Sequence, residues 1–127
     1  KFIKPISYSR VNAAKRYLAA LVCKETDSVE DMLDDKVELI DCHGRLVGKD
    51  KVLLHNRRFT EMIKTATLKI NNAAYRDKYV CLECKMTYEP VFEVNMYRNQ
   101  KYVVMRVVYI IEFNEWGKIK SIRSYRN

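Results

Sequence analysis

A chain of 127 residues is one domain, long enough to bury a single hydrophobic core and too short for two. Its 48% hydrophobic and 31% charged shares describe a soluble globular protein, and no apolar run reaches the roughly 18 residues of a membrane-spanning helix, Arg106 interrupting the longest candidate. The formal net charge of +8 raises nucleic acid as a partner, but the basic residues are scattered and no zinc finger, basic run or aromatic RNA-binding motif joins them, so a solvated basic surface is expected instead.

In chain order, Lys1 to Ser7 reads as an extended arm kept out of a helix by Pro5. The chain begins at Lys1 rather than a methionine, which leaves room for a leader or further domain upstream. Ser9 is a suitable N-cap for a helix to about Lys24, with Val11, Ala14, Leu18, Leu21 and Val22 as its apolar stripe and Tyr17 at the stripe's edge. Asp27-Ser28-Val29-Glu30 has the form of a capping box, with an acid at the cap, and predicts a short second helix through Leu33. Val37 to Asp41 reads as a strand, followed by a turn at Cys42-His43-Gly44. Gly48-Lys49-Asp50 opens a third helix to about Lys64, with Val52, Phe59, Met62 and Ile63 facing inward.

Beyond Lys64 the helical period disappears. Residues 67 to 75 and 79 to 88 read as strands joined at Arg76-Asp77-Lys78, the second alternating Val80, Leu82, Cys84, Met86 and Tyr88 against Tyr79, Cys81, Glu83, Lys85 and Thr87. Pro90 kinks or ends that strand, and Val91 to Tyr97 continues toward a turn at Arg98-Asn99-Gln100. The strongest signal is Tyr102 to Tyr125, a hairpin turning at Asn114-Glu115-Trp116-Gly117, where Gly117 can take a positive φ. Val103, Met105, Val107, Tyr109, Ile111 and Phe113 share one face of its first strand, and Tyr102, Val104, Arg106, Val108, Ile110 and Glu112 the other. Both faces are largely apolar, so something is expected to cover each: helices on one side, a partner subunit on the other. In the last strand Lys120, Ile122, Ser124 and Arg126 alternate against Ile119 and Tyr125, which leaves its register open.

Three helices, one early strand and then a curling antiparallel sheet make an α+β layout with the helices gathered on one face. A sheet curling around its helices encloses a cone-shaped cavity, the default place for a ligand. Arg16-Tyr17-Leu18, Val37 to Gly44, Gly48-Lys49 and Phe113 to Ile119 together resemble the nuclear transport factor 2-like superfamily, and within it the ketosteroid isomerase and SnoaL-like branch is most similar. The resemblance covers roughly Tyr17 to Tyr125, and it implies a cone-shaped fold of three N-terminal helices on a curved antiparallel or mixed sheet, a cystatin-like roll, spanning residues 1–127 as one domain.

For function, the resemblance implies a ligand-binding cavity and an isomerase, dehydratase or cyclase working without cofactor or metal. Tyr17 matches the family tyrosine that donates to a developing oxyanion, and Asp41 the aspartate that shuttles the proton. Tyr109 stands where the family has a protonated aspartate, a departure that keeps a hydrogen-bond donor. Two phenols on one oxygen beside a carboxylate base would suit proton abstraction next to a carbonyl. Met105, Val107, Phe113, Ile122 and Arg126 would line the ligand site, Arg126 either favouring an acidic ligand at the mouth or pairing with Asp41.

Bland readings stand beside these. Tyr17 on a helical edge and Tyr109 among Val107 and Ile111 suit packing, and Asp41 suits bonding to turn backbone. Cys81 and Cys84 have a CxxC spacing, but on a regular strand they face opposite sides and cannot share a metal, and His55 reads as a surface residue. Four cysteines are few for a disulfide scaffold and point to a reducing compartment, the cytoplasm or nucleus. Three classes remain. One is a homodimeric binder or enzyme for a small apolar molecule with a carbonyl or acidic group, pairing through the outer sheet face; another is a dimerising interaction or transport-adaptor module using that face around Val104, Val108 and Ile110; the last is a basic module recognised by salt-dependent binding.

Overall fold

The computed structural model describes residues 6–91 and 101–127. Of the extended arm expected over Lys1 to Ser7, residues 1–5 lie outside the described residues and the last two open the first helix instead; the strand and turn expected from Val91 to Gln100 lie outside them beyond Val91. Helix α1 spans Ile6–Val22, so Ser9 lies within it rather than capping it; a serine costs a helix interior little, and the cap signal marked a residue the helix runs through. Its predicted stripe is confirmed at Val11, Ala14, Leu18 and Leu21, all buried, with Tyr17 buried beside them.

The short second helix is a 3₁₀ helix at Thr26–Met32. The capping box does not form: Ser28 Oγ donates to the Glu25 carbonyl at 2.6 Å instead, and buried Thr26 and Val29 tie the short turn to the core. Strand β1, Leu33–Asp41, therefore starts four residues before Val37, with a register irregularity between Leu33 and Glu38. It turns through Cys42 and His43 into β2, Gly44–Val47, a strand too short to show any alternation in the sequence.

Helix α2 spans Lys49–Glu61, preceded by Gly48 at φ 111°, a left-handed conformation glycine adopts freely. Its buried face is Val52, Leu53, Asn56 and Thr60. The helix ends before the expected Lys64: Met62 falls beyond it at 60% exposure, which corrects its inward assignment, whereas Ile63 is buried as expected but opens β3.

The remaining strands are β3, Ile63–Arg76; β4, Tyr79–Pro90; β5, Val103–Phe113; and β6, Ile119–Arg126. The turn between β3 and β4 holds Asp77 at φ 53°, and Val80, Leu82, Cys84 and Met86 are buried as their alternation predicts. The six strands form one sheet in the order β2-β1-β6-β5-β4-β3. All neighbours are antiparallel except β1 and β6, which run parallel. The early strand thus belongs to the same mixed, curved sheet as the later ones, in line with the antiparallel or mixed sheet expected.

Register irregularities within the sheet give it local bends. The one between Glu112 and Phe113 resolves the last strand. Phe113 pairs with Ile119, whereas Ile111, Tyr109 and Val107 pair with Ile122, Ser124 and Arg126, so the extra residue lets Ile119 and Ile122 both face the core. Lys120 is exposed and does not share that inner face. At the turn Gly117 takes φ 81°, and Asn114 Oδ1 accepts the N–H groups of Trp116 and Lys118 at 2.9 and 3.0 Å. Asn114 Nδ2 also donates to Asp34 Oδ2 at 2.8 Å, tying the turn to β1. The Lys36 N–H, and next the Asn114 amide, hold the Asp34 carboxyl below the usual carboxylate range.

No helix among the described residues is long and apolar enough to cross a membrane. Their four cysteines are all free, with Cys84 on the buried face of β4 and Cys81 pairing with Ile110 on the other. The inner faces of β1, β4, β5 and β6 pack against α1, α2 and the 3₁₀ helix to form one core, with Leu18, Leu33, Leu82, Ile111, Phe113 and Ile119 all completely or almost completely buried.

Candidate functional site

A cavity of about 460 Å³ opens between the two helices and the inner face of the sheet. Tyr17 and Leu21 of α1 and Leu39, Val107 and Ile122 of the sheet form its apolar wall. Asp41, Cys42 and His43, at the end of β1 and in the turn after it, bring polar groups to it, as do His55, Asn56 and Arg58 on α2. Tyr109, Ser124 and Arg126 come from the paired strands β5 and β6.

The three positions assigned by resemblance, Tyr17, Asp41 and Tyr109, all line this one cavity. Tyr17 is 2% exposed, and its hydroxyl oxygen accepts the Asn56 Nδ2 hydrogen at 2.7 Å. Because Asn56 supplies that hydrogen, the phenol keeps its own proton to donate elsewhere. Burial pushes the Tyr17 phenol up to about 12, only partly offset by the Asn56 bond. Tyr109, 8% exposed, is pushed up by burial first and by the neighbouring Tyr17 and Cys84 next, with Arg126 pulling the other way. Both phenols are therefore neutral donors through the whole physiological range.

Asp41 divides its oxygens. Oδ1 accepts the His43 N–H at 2.8 Å, the local turn bond that the bland reading expected. Oδ2 lies 3.9 Å from His55 Nε2, beyond hydrogen-bond length. His55, read from the sequence as a surface residue, thus lines the cavity beside Asp41. Helical spacing carried the signal: Val52, His55, Asn56 and Phe59 are neighbours at three and four residues apart, and a stripe drawn through apolar residues alone skips the two polar members.

Met105, Val107, Ile122 and Arg126 also line the cavity, and Phe113 does not. Eight residues separate Met105 from Phe113, about 27 Å of strand, so a shared face does not mean a shared pocket. Phe113 is instead fully buried at the other end of the sheet, with the Arg10 guanidinium 6.0 Å from its ring centre. Arg126 is not paired with Asp41: its Nη2 lies 3.2 Å from His43 Nε2 and 3.4 Å from Cys42 Sγ, and its Nη1 lies 3.5 Å from Met105 Sδ.

The raised phenols give a prediction with a definite sign. An unfolded tyrosine ionises near about 10. The folded chain keeps protons on Tyr17 and Tyr109 above that pH, so their burial contributes stability fully below about pH 10 and loses it as pH rises toward 12 and beyond. In a phenolate-absorbance titration of the nine tyrosines, two are expected to ionise only together with alkaline unfolding. Tyr17→Phe and Tyr109→Phe should each remove one from that late step; gradual ionisation of every tyrosine in the folded protein would contradict the burial of both.

No protein-family model and no curated protein matches this sequence. Solved structures do. A SnoaL-like protein from Jannaschia sp. superposes with a TM-score of 0.82 at 12% identity, covering 100% of this chain and 91% of that one. An LEH-like epoxide hydrolase from M. tuberculosis gives 0.79 at 19% identity, covering 97% and 86%. A protein of ketosteroid isomerase-like fold from Catenulispora acidiphila gives 0.75 at 13% identity, covering 89% and 83%. At these identities the likeness is one of architecture: three helices on a six-stranded mixed sheet, the nuclear transport factor 2-like α+β fold.

Proposed function

We propose that this domain binds a small, largely apolar carbonyl compound in a cone-shaped cavity and moves a proton on it without metal or cofactor. The observation that carries the reading is the arrival of Tyr17, Asp41 and Tyr109 at one apolar-walled cavity from three different elements. In this reading Asp41 Oδ2 takes a proton from the carbon beside the carbonyl, and the electron pair moves onto the carbonyl oxygen. The Tyr17 and Tyr109 hydroxyls donate to that oxygen as its charge develops, and Asp41 returns the proton at a second carbon, which amounts to an isomerisation. The superfamily's isomerases, cyclases and epoxide hydrolases make such acid–base work reasonable for the fold without fixing the substrate. A setting in the cytoplasm or nucleus goes with the free cysteines.

A second reading has a specific observation behind it. On the outer sheet face Val104 is 56% exposed and Val108 is half-buried beside the exposed Tyr125, a patch that would suit a homodimer of an interaction module. The two readings separate in one experiment. 2-Acetonaphthone, an apolar aryl ketone, should bind the wild type saturably at one site, and Ser124→Trp, which puts an indole into the cavity, should lose at least about tenfold in affinity. A folded wild type that sediments as a dimer and does not bind the ketone would favour the interaction module.

A further inference from the structure

The cavity's polar rim is asymmetric in charge. Besides Asp41, its charged side chains are Arg58 and Arg126, and among the described residues neither arginine has a carboxylate within ion-pair distance. Asp41 is not within ion-pair distance of either arginine: its Oδ1 accepts the His43 N–H, and its Oδ2 lies 3.9 Å from His55 Nε2. Arg126 is held in place nonetheless, by His43 Nε2 at 3.2 Å, Cys42 Sγ at 3.4 Å and Met105 Sδ at 3.5 Å.

The chemistry of those contacts defines what is missing. A guanidinium has only donors, so in a hydrogen bond between them His43 Nε2 is the accepting atom. Sulfur is a weak acceptor. Arg126 is thus positioned by a ring nitrogen and two sulfurs, none of them a carboxylate, at the rim of a cavity whose walls are Leu21, Leu39, Val107 and Ile122. Its strand pairing fixes the place: Arg126 stands opposite Val107, two residues along from Tyr109 opposite Ser124. A planar fork at the edge of an apolar hollow is complementary to a carboxylate, which can take two parallel hydrogen bonds from it.

We infer that Arg126, positioned by His43, Cys42 and Met105, is the seat for a carboxylate at one end of the ligand, so that the natural ligand is an amphipathic organic acid with its apolar body in the cavity. The inference rests on the cavity being a ligand site, as proposed above, and adds the class of head group. Arg58, on α2, adds a second positive charge to the lining of the same cavity.

A matched pair of probes tests it: 2-naphthylacetate and its methyl ester, which share one apolar body and differ in charge. Calorimetric titration of the wild type should give a Kd for the acid about 10- to 100-fold below that for the ester. Arg126→Gln should remove the difference by weakening the acid alone, leaving the ester's Kd within about twofold. Equal binding of acid and ester by the wild type would overturn the carboxylate seat while leaving the cavity reading intact. An acid preference retained in Arg126→Gln would also overturn it, assigning the effect to the chain's general positive charge. If neither probe binds, the cavity reading and the seat fall together.

Discussion

Asp41→Asn is expected to slow conversion of a cyclic β,γ-unsaturated ketone to its conjugated isomer by about 10²- to 10⁴-fold, the span that a positioned general base contributes. Asparagine has nearly the same shape and keeps a carbonyl oxygen, so it can still accept the His43 N–H that Asp41 Oδ1 accepts at 2.8 Å. The turn into β2 should therefore survive, and only basicity is lost. Binding of the same ketone, followed by titration, should stay within about twofold, because the lost interaction belongs to the transition state rather than the ground state. Growth of enone absorbance reads the rate directly. An unchanged rate would take Asp41 out of the chemistry and leave it as a turn residue; a loss of binding with no change in rate at saturation would make it a contact for the ligand only.

Phe113→Ala should have the largest effect on stability of any single truncation considered, about 3–5 kcal/mol in a urea unfolding curve. Phe113 is completely buried, its backbone N–H bonds the Lys78 carbonyl at 2.8 Å, and it pairs with Ile119 at the register shift that sets the whole of β6. A cavity left there cannot be refilled easily, because Ile119 is itself fully buried and the Arg10 guanidinium closes the other side. Phe113→Leu, which keeps most of the volume, should cost much less, about 1–2 kcal/mol. Ligand affinity of the folded Phe113→Leu protein should match the wild type, since this end of β5 lies away from the cavity. A small stability loss with a large affinity loss would mean that Phe113 belongs to the ligand site after all.

Those two residues also mark what could and could not be read from the chain. Alternation places Phe113 on the same face as Met105, Val107 and Tyr109, and the structure agrees; how far along that face a cavity extends is set by where α1 and α2 cross it, which no local pattern carries. The hairpins were legible because period-two patterning and turn residues act over a few positions: β4 against β3 at Asp77, and β5 against β6 at Gly117. The parallel pairing of β1 with β6 was not, since Leu39 and Ile122 meet across 83 positions and nothing near either residue announces the other. Helix α2 shows a different loss. Its cavity face mixes His55 and Asn56 with Phe59, and a reading that followed only hydrophobic residues rotated the helix and left His55 outside. At the last strand the ambiguity had a single physical source, the irregularity at Glu112 and Phe113, which puts Ile119 and Ile122 on one face although their spacing is odd.

A crystal structure of the protein soaked with 2-acetonaphthone would test the central claim most directly. The naphthyl ring is expected against Leu39, Val107 and Ile122, with the ketone oxygen within hydrogen-bond distance of the Tyr17 or Tyr109 hydroxyl. Ketone density confined to the outer sheet face around Val104 and Tyr125, with the cavity left without it, would contradict the account.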